Sequence, residues 1–183
     1  MPSIGESLHE YLTTHALWDK QLTLKRGEHL HLEGDVDPDI YYVKEGTLRS
    51  YVLPEGTNGE HIIRFGYGGD FVTAMDCFLG GRPTMLYTQT LRKTVLRRVR
   101  RGVYLKQMET DPALNALWQR TISWMFIGQM EREVDLLTSS PEARYRRVLA
   151  RSPRLFQEIP AKYIANYLRM TPETLSRIRA KEA

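Results

Sequence analysis

His29, His31 and Glu33 alternate within the stretch RGEHLHLEGD, and each is a residue type that can hold a divalent metal. Side chains two apart on a β-strand project from one face. Two imidazoles and a carboxylate on one face therefore form a candidate metal edge. The same alternation also places Leu30 and Leu32 together on the opposite face. Leucines in the core and histidines toward water is the plainer assignment. Glu33 follows His31 by only two residues, and the only later histidine, His61, lies in no ligand-like motif. The expectation is a wet strand face with no metal.

A second constellation lies at the other end, in IPAKYIANYLRMTPETLSRIRAKEA. Ile164, Ala165 and Leu168 make one face of a short helix, and Leu175 and Ile178 one face of the next. Only Arg169, Met170 and Thr171 separate them. A turn of this length between two short helices is the helix-turn-helix layout, whose second helix enters the DNA major groove. Thr171 is the natural N-cap and Pro172 the first helical residue. Pro172, Glu173, Ser176 and Arg177 then occupy the leading turn and exposed face, where base edges are read. Arg can bond guanine O6 and N7, Glu can accept from cytosine N4, and Ser suits either base. Lys162, Tyr163, Thr171, Arg179 and Lys181 are placed for phosphates.

Charge supports this division. Residues 141–183 carry ten Lys/Arg and four Asp/Glu, a net of +6, whereas residues 1–140 are −2. A basic tail on a near-neutral body suggests a polyanion partner. The single cysteine, Cys77, excludes an internal disulfide, a CxxC zinc site and a cysteine-held iron–sulfur cluster. No apolar run is long enough for a membrane span. The opening MPSIGESLHEYL has neither the basic start nor the apolar stretch of a secretory signal, so a cytoplasmic location is expected.

The elements between are legible in outline. Residues 4–18 have the spacing of a short amphipathic helix, with Leu8, Tyr11, Leu12 and Leu17 apolar. From about 21 to 105, short β-branched and aromatic runs alternate with turn signals such as KEGT and PEGTNGE. This predicts an antiparallel β-roll or jelly roll. Residues 111–139 read as one long helix capped by Asp111, with Pro112 first. Leu114, Trp118, Ile122, Met125 and Gln129 form one stripe, the expected dimer contact. Leu117, Phe126, Met130, Val134 and Leu137 extend the apolar character around the helix, which requires burial on more than one side. Three shorter helices are predicted near 141–150, 160–168 and 172–181.

This order of β-roll, long helix and terminal helix-turn-helix resembles the CRP/FNR transcription regulators. LKRGEHLHLEGDVDPDIYYVKEGTLRSYV resembles the opening strands of that family, GYGGDFVTAMDCFLGG its ligand-pocket approach, and PETLSRIR its recognition helix. The resemblance implies an α+β fold with three parts: a cyclic-nucleotide-binding-like domain over 1–110, a dimerisation helix over 111–139 and a DNA-binding domain over 140–183. It implies a homodimer on double-stranded DNA, with RNA polymerase a candidate further partner, and no enzyme activity. In the cyclic-nucleotide branch a Glu after GDF holds the ribose and an Arg before Ser/Thr pairs with the phosphate. Those slots hold Ala74 and Thr84 here, and Pro83 shifts Arg82 out of register, so tight cAMP or cGMP binding is not expected. No cofactor is expected, and no haem ligand stands out among His9, His15, His29, His31 and His61. A small effector of another kind would find a lining in Thr73, Ala74, Met75, Thr84, Met85 and Tyr87. The turn carries Arg169 where Gly is usual, a left-handed position costing about 1–2 kcal/mol with a side chain. No β-hairpin wing follows the recognition helix in this sequence, so a wingless helix-turn-helix is expected. The alternative is a ligand- or metal-binding β-roll enzyme of the cupin kind with a structural tail.

Overall fold

Ser3 starts the first helix through its side chain. In the computed structural model, which describes residues 3–56 and 59–182, the Glu6 N–H donates to Ser3 Oγ at 3.1 Å. The Ser3 N–H donates to the Glu6 carboxylate at 2.6 Å. This reciprocal capping box satisfies N–H groups that a helix start leaves unpaired, and it launches α1 (Ile4–Thr14).

The strands follow as β1 (Lys20–Leu24), β2 (His29–His31), β3 (Ile40–Glu45), β4 (Thr47–Val52), β5 (His61–Tyr67), β6 (Phe71–Val72), β7 (Tyr87–Thr90) and β8 (Thr94–Val99). They form two four-stranded sheets, ordered β1-β8-β3-β6 and β2-β7-β4-β5. The β3–β4 turn needs Gly46: its φ is +99°, and a Cβ there would lie 2.5 Å from the Thr94 Cα. Tyr41, Val43 and Leu96 from one sheet meet Leu48 from the other to make the inter-sheet core. A second core packs Leu8 and Leu12 of α1 over Ile40 and Val99, with Phe78, Tyr104 and Leu114.

Two short helices here carry little sequence signal. α2 (Met75–Gly80) lacks a side-chain cap. α3 (Arg101–Thr110) also lacks one and fully buries only Tyr104, so it has almost no apolar stripe to read. α4 (Pro112–Leu137) begins as expected, with the Ala113 N–H donating to Asp111 Oδ1 at 2.8 Å. Asp111 also receives the Tyr11 hydroxyl, which accepts from Gln107 Nε2 at 3.0 Å.

The wet-face expectation for His31 is corrected. His31 is 2% exposed, while Leu32 is 46% exposed. β2 ends at His31 with a register shift along its pairing to β7, and this breaks the alternation that would have put Leu32 inside. His31 Nε2 lies 3.4 Å from Asp37 Oδ2, and the Tyr41 hydroxyl donates to the same carboxylate at 2.6 Å. Burial alone would raise the Asp37 pKa, but these two partners and the Asp39 N–H outweigh it and hold it at about 2. His29 stays exposed, with Nε2 3.1 Å from the Tyr51 hydroxyl. The two histidines thus face different surroundings.

The remaining helices are α5 (Pro141–Arg151), α6 (Leu155–Glu158), α7 (Ala161–Tyr167) and α8 (Pro172–Glu182). The chain divides into two compact units: Met1–Val52 with Arg64–Ser123, and Leu53–Ile63 with Trp124–Ala183. The division falls inside α4, between Ser123 and Trp124. Among the described residues no helix is long and apolar enough to cross a membrane.

Candidate nucleic-acid interface

α7 and α8 are held by a small apolar core. Ile164, Ala165, Leu168, Leu175 and Ile178 are all buried, as are Tyr145 and Val148 of α5, Leu155 of α6 and Ile159 just after it. Ala165 is fully buried and its carbonyl accepts the Met170 N–H at 3.0 Å, so the chain turns back tightly over it. Arg169 takes the left-handed conformation, with φ +55°. Thr171 caps α8: the Thr174 N–H donates to its Oγ1 at 3.2 Å. That oxygen, expected to face phosphate, is thus already engaged within the turn.

Pro172, Glu173, Ser176 and Arg177 are exposed, as are Lys162, Arg179 and Lys181. The Glu173 carboxyl is held below its usual range by its own N–H, by the Thr171 hydroxyl and by the Arg177 charge, in that order. Glu173 is therefore ionised at neutral pH and can accept a hydrogen bond from a base. Tyr163 is half-buried beneath the Lys162 ammonium, 4.7 Å from its ring centre.

The basic residues of this unit divide into two sets. Arg147 and Arg151 of α5 grip Glu131 and the fully buried Asp135 of α4, with Arg147 Nε 3.0 Å and Arg151 Nη2 2.5 Å from the Asp135 carboxylate. Arg146 binds Glu182 at 2.6 Å. Arg144 is buried and makes no ion pair among the described residues; its guanidinium donates to the carbonyls of Thr138, Ser139, Leu168 and Arg169. These carbonyls lie at the ends of α4 and α7, where unpaired C=O groups and the helix dipole favour a cation. Arg132 stacks 3.6 Å from the Tyr167 ring centre and donates to the Tyr167 carbonyl. In contrast, Lys162, Arg169, Arg177, Arg179 and Lys181 make no ion pair among the described residues. Arg144, Arg132, Asp135 and Asn166 were not legible as a positioning set. Asn166 anchors residues 60–62 on α7 by donating to the Glu60 carbonyl at 2.8 Å and accepting the Ile62 N–H at 3.0 Å.

The expected dimer stripe needs correction. Leu114 is fully buried in the core of its own unit and Trp118 packs against Phe78 and Tyr104, so neither is free for a partner. Ile122 and Met125 are half-buried and Gln129 is exposed but polar. Of the exposed apolar residues of α4, Phe126, Ile127, Met130, Val134 and Leu137 lie at helical spacing on the other side, while Trp124 and Leu136 are exposed elsewhere around the helix.

The six expected effector residues meet different surroundings. Ala74 and Thr84 are buried, whereas Met85 is 65% exposed. Half-buried Thr73 donates its hydroxyl to the Asp39 carbonyl, half-buried Met75 opens α2, and Tyr87 stacks on Tyr51 with ring centres 5.3 Å apart. The side of the β4–β7 pair that shares a face with core Leu48 instead carries Ser50, Thr88 and Thr90, and Ser50 and Thr88 hydroxyls are 3.0 Å apart.

Residues 21–111 match the cyclic nucleotide-binding domain family. The sequence matches no curated protein. Among solved structures, FixK2 from Bradyrhizobium japonicum is 21% identical, covering 88% of this chain and 83% of its own, with a TM-score of 0.73. A CooA variant from Carboxydothermus hydrogenoformans is 14% identical, covering 94% and 82%, at 0.72. The Thermus thermophilus catabolite activator protein is 19% identical, covering 94% and 82%, at 0.58. Residues 21–111 are thus similar to a cyclic nucleotide-binding domain, and the chain shares the fold of these solved structures.

Proposed function

We propose that this CRP/FNR-type chain is a homodimeric, sequence-specific DNA-binding regulator that reads a two-fold operator through α8. One observation carries the reading: α8 exposes Glu173, Ser176 and Arg177 on its leading turns, and its basic residues, unlike those of α5, make no ion pair among the described residues. Arg and Glu at these positions have the hydrogen-bonding geometry for guanine and cytosine edges, and the free cations supply sequence-independent phosphate affinity. A dimer would place two such helices roughly 34 Å apart, one turn of duplex. The apolar face of Phe126, Ile127, Met130, Val134 and Leu137 supports that dimer, because a two-fold axis lets one exposed stripe cover its own copy.

The test is selection from a random duplex pool followed by salt titration of the retained sequence. Enrichment of a palindromic site supports the proposal. Salt-sensitive but unselective binding reduces it to an electrostatic surface, and no retention at low salt ends it. For the dimer, Met130→Glu with Phe126→Glu is expected to give a monomer by sedimentation; an unchanged sedimentation coefficient discards this face.

Any effector in the roll is proposed to be something other than cAMP. Asp76, in the first turn of α2, accepts the Cys77 N–H at 3.1 Å and the Met85 N–H at 2.8 Å. Its carboxylate engages the N–H immediately after the Thr84 slot, where an anionic phosphate would need donors and not a like charge. Micromolar cAMP affinity by calorimetry overturns this. No residue is assigned a catalytic role.

A further inference from the structure

α1 covers the Ile40–Val99 end of the β1-β8-β3-β6 sheet, and its His9 reaches the next pair on the same face. Tyr42 and Arg97 are cross-strand partners there, with Gln21 the partner of Arg97 on its other side. An open cleft of about 600 Å³ lies over them, within the size range of small-molecule sites. It lies in the first unit and shares no residue with α8 or with the six expected effector positions.

Its chemistry has two parts. The aromatic part is His9, Trp18 and Tyr42: His9 lies 4.2 Å from Tyr42 between ring centres, and Trp18 lies 5.9 Å from Tyr42. Burial, followed by the Arg97 charge, pulls the His9 pKa below its ordinary value, so at neutral pH it is an uncharged ring. The cationic part is Lys20, Lys44 and Arg97, with Arg97 already 4.3 Å from the Trp18 ring centre. None of these three makes an ion pair among the described residues. The one acid in the lining, Asp19, is held by Arg98 and by Arg100 at 2.7 Å, so its charge is already countered. Three uncompensated cations around one cleft repel one another and favour a multivalent anion.

We propose that this cleft binds a small aromatic phosphate monoester of mononucleotide size. Its flat ring lies against the Tyr42–His9 pair and its phosphate dianion between Lys20, Lys44 and Arg97, while Gln21 offers an amide to the ring edge. A dianion matches the charge better than a carboxylate does, and a flat ring uses the aromatic wall that a bare phosphate would leave idle. The proposal stands apart from DNA binding by α8.

Calorimetry of the full chain with AMP, adenosine and inorganic phosphate tests it. The expected result is saturable one-to-one AMP binding, with adenosine and phosphate each at least about tenfold weaker, since each loses one half of the contacts. Lys44→Gln should weaken AMP about tenfold while leaving thermal unfolding unchanged, because Lys44 is exposed, and Tyr42→Leu should weaken it about tenfold as well. Phosphate binding as tightly as AMP would show an anion patch only and overturn the proposal. So would AMP binding that survives Lys44→Gln combined with Arg97→Gln, or no saturable heat up to millimolar AMP.

Discussion

α5 and α8 are both eleven residues long and rich in arginine, and they pack in one unit, yet they use that charge in opposite ways. On α5, Arg144, Arg146, Arg147 and Arg151 all face acids or carbonyls of the same unit. On α8, Arg177 and Arg179 face solvent. The contrast teaches that a basic segment is not a basic surface. Of the ten cations that make residues 141–183 net positive, the α5 set assembles the platform and the α8 set remains available to a partner.

The comparison can be broken at its strongest point. Asp135→Ala leaves Arg147 and Arg151 without their buried acid and is expected to lower stability by about 3–5 kcal/mol in denaturant titration. A loss below about 1 kcal/mol would mean the α5 arginines are not engaged as described. Arg144→Ala strands four carbonyls and should cost about 3 kcal/mol, with Arg144→Lys recovering little because an ammonium cannot span the fork. The roll offers a parallel case in Asp37. Its pKa is depressed from 3.8 to about 2, so its contribution of about 2 kcal/mol is present above pH 3.8 and fades as pH falls through 2. Asp37→Asn should therefore destabilise at pH 7 and flatten the acid limb of the stability curve. On the other side of the contrast, Arg177→Ala should leave stability within about 0.5 kcal/mol. It should weaken the selected DNA site by about 1–3 kcal/mol while sparing unrelated DNA. The smallest effect belongs to Lys181→Gln, which should only lower the salt slope of binding by about 1.

The legible parts share a physical cause. α4, α7 and α8 announce themselves through Asp111, Pro112, Thr171 and Pro172, local caps whose meaning depends on neighbouring residues alone. The Ile164–Leu168 and Leu175–Ile178 faces follow from helical spacing and are buried as that spacing requires. What misled was periodicity carried past a break. Alternation through His29–Glu33 put Leu32 inside, but the register shift at the end of β2 buries His31 instead. The apolar stripe of α4 has two sides, and nothing local distinguishes the side that takes Leu114 into the core from the side that leaves Met130 exposed. The proposed effector lining is likewise uneven, since Met85 and Tyr87 are near Thr84 in sequence but differ from it in exposure.

By itself the sequence determined the order of roll, long helix and tail helices, the start of α8, the turn at Arg169 and the face of α8 that meets solvent, because caps, turns and amphipathic spacing act over a few residues. Only the tertiary structure decided which arginines are occupied, which stripe of α4 is free, that His31 meets Asp37 and Tyr41, and that His9, Trp18, Tyr42 and Arg97 share a cleft. Those outcomes depend on residues tens of positions apart, and charge and burial are settled by the partner a side chain reaches once the chain has folded.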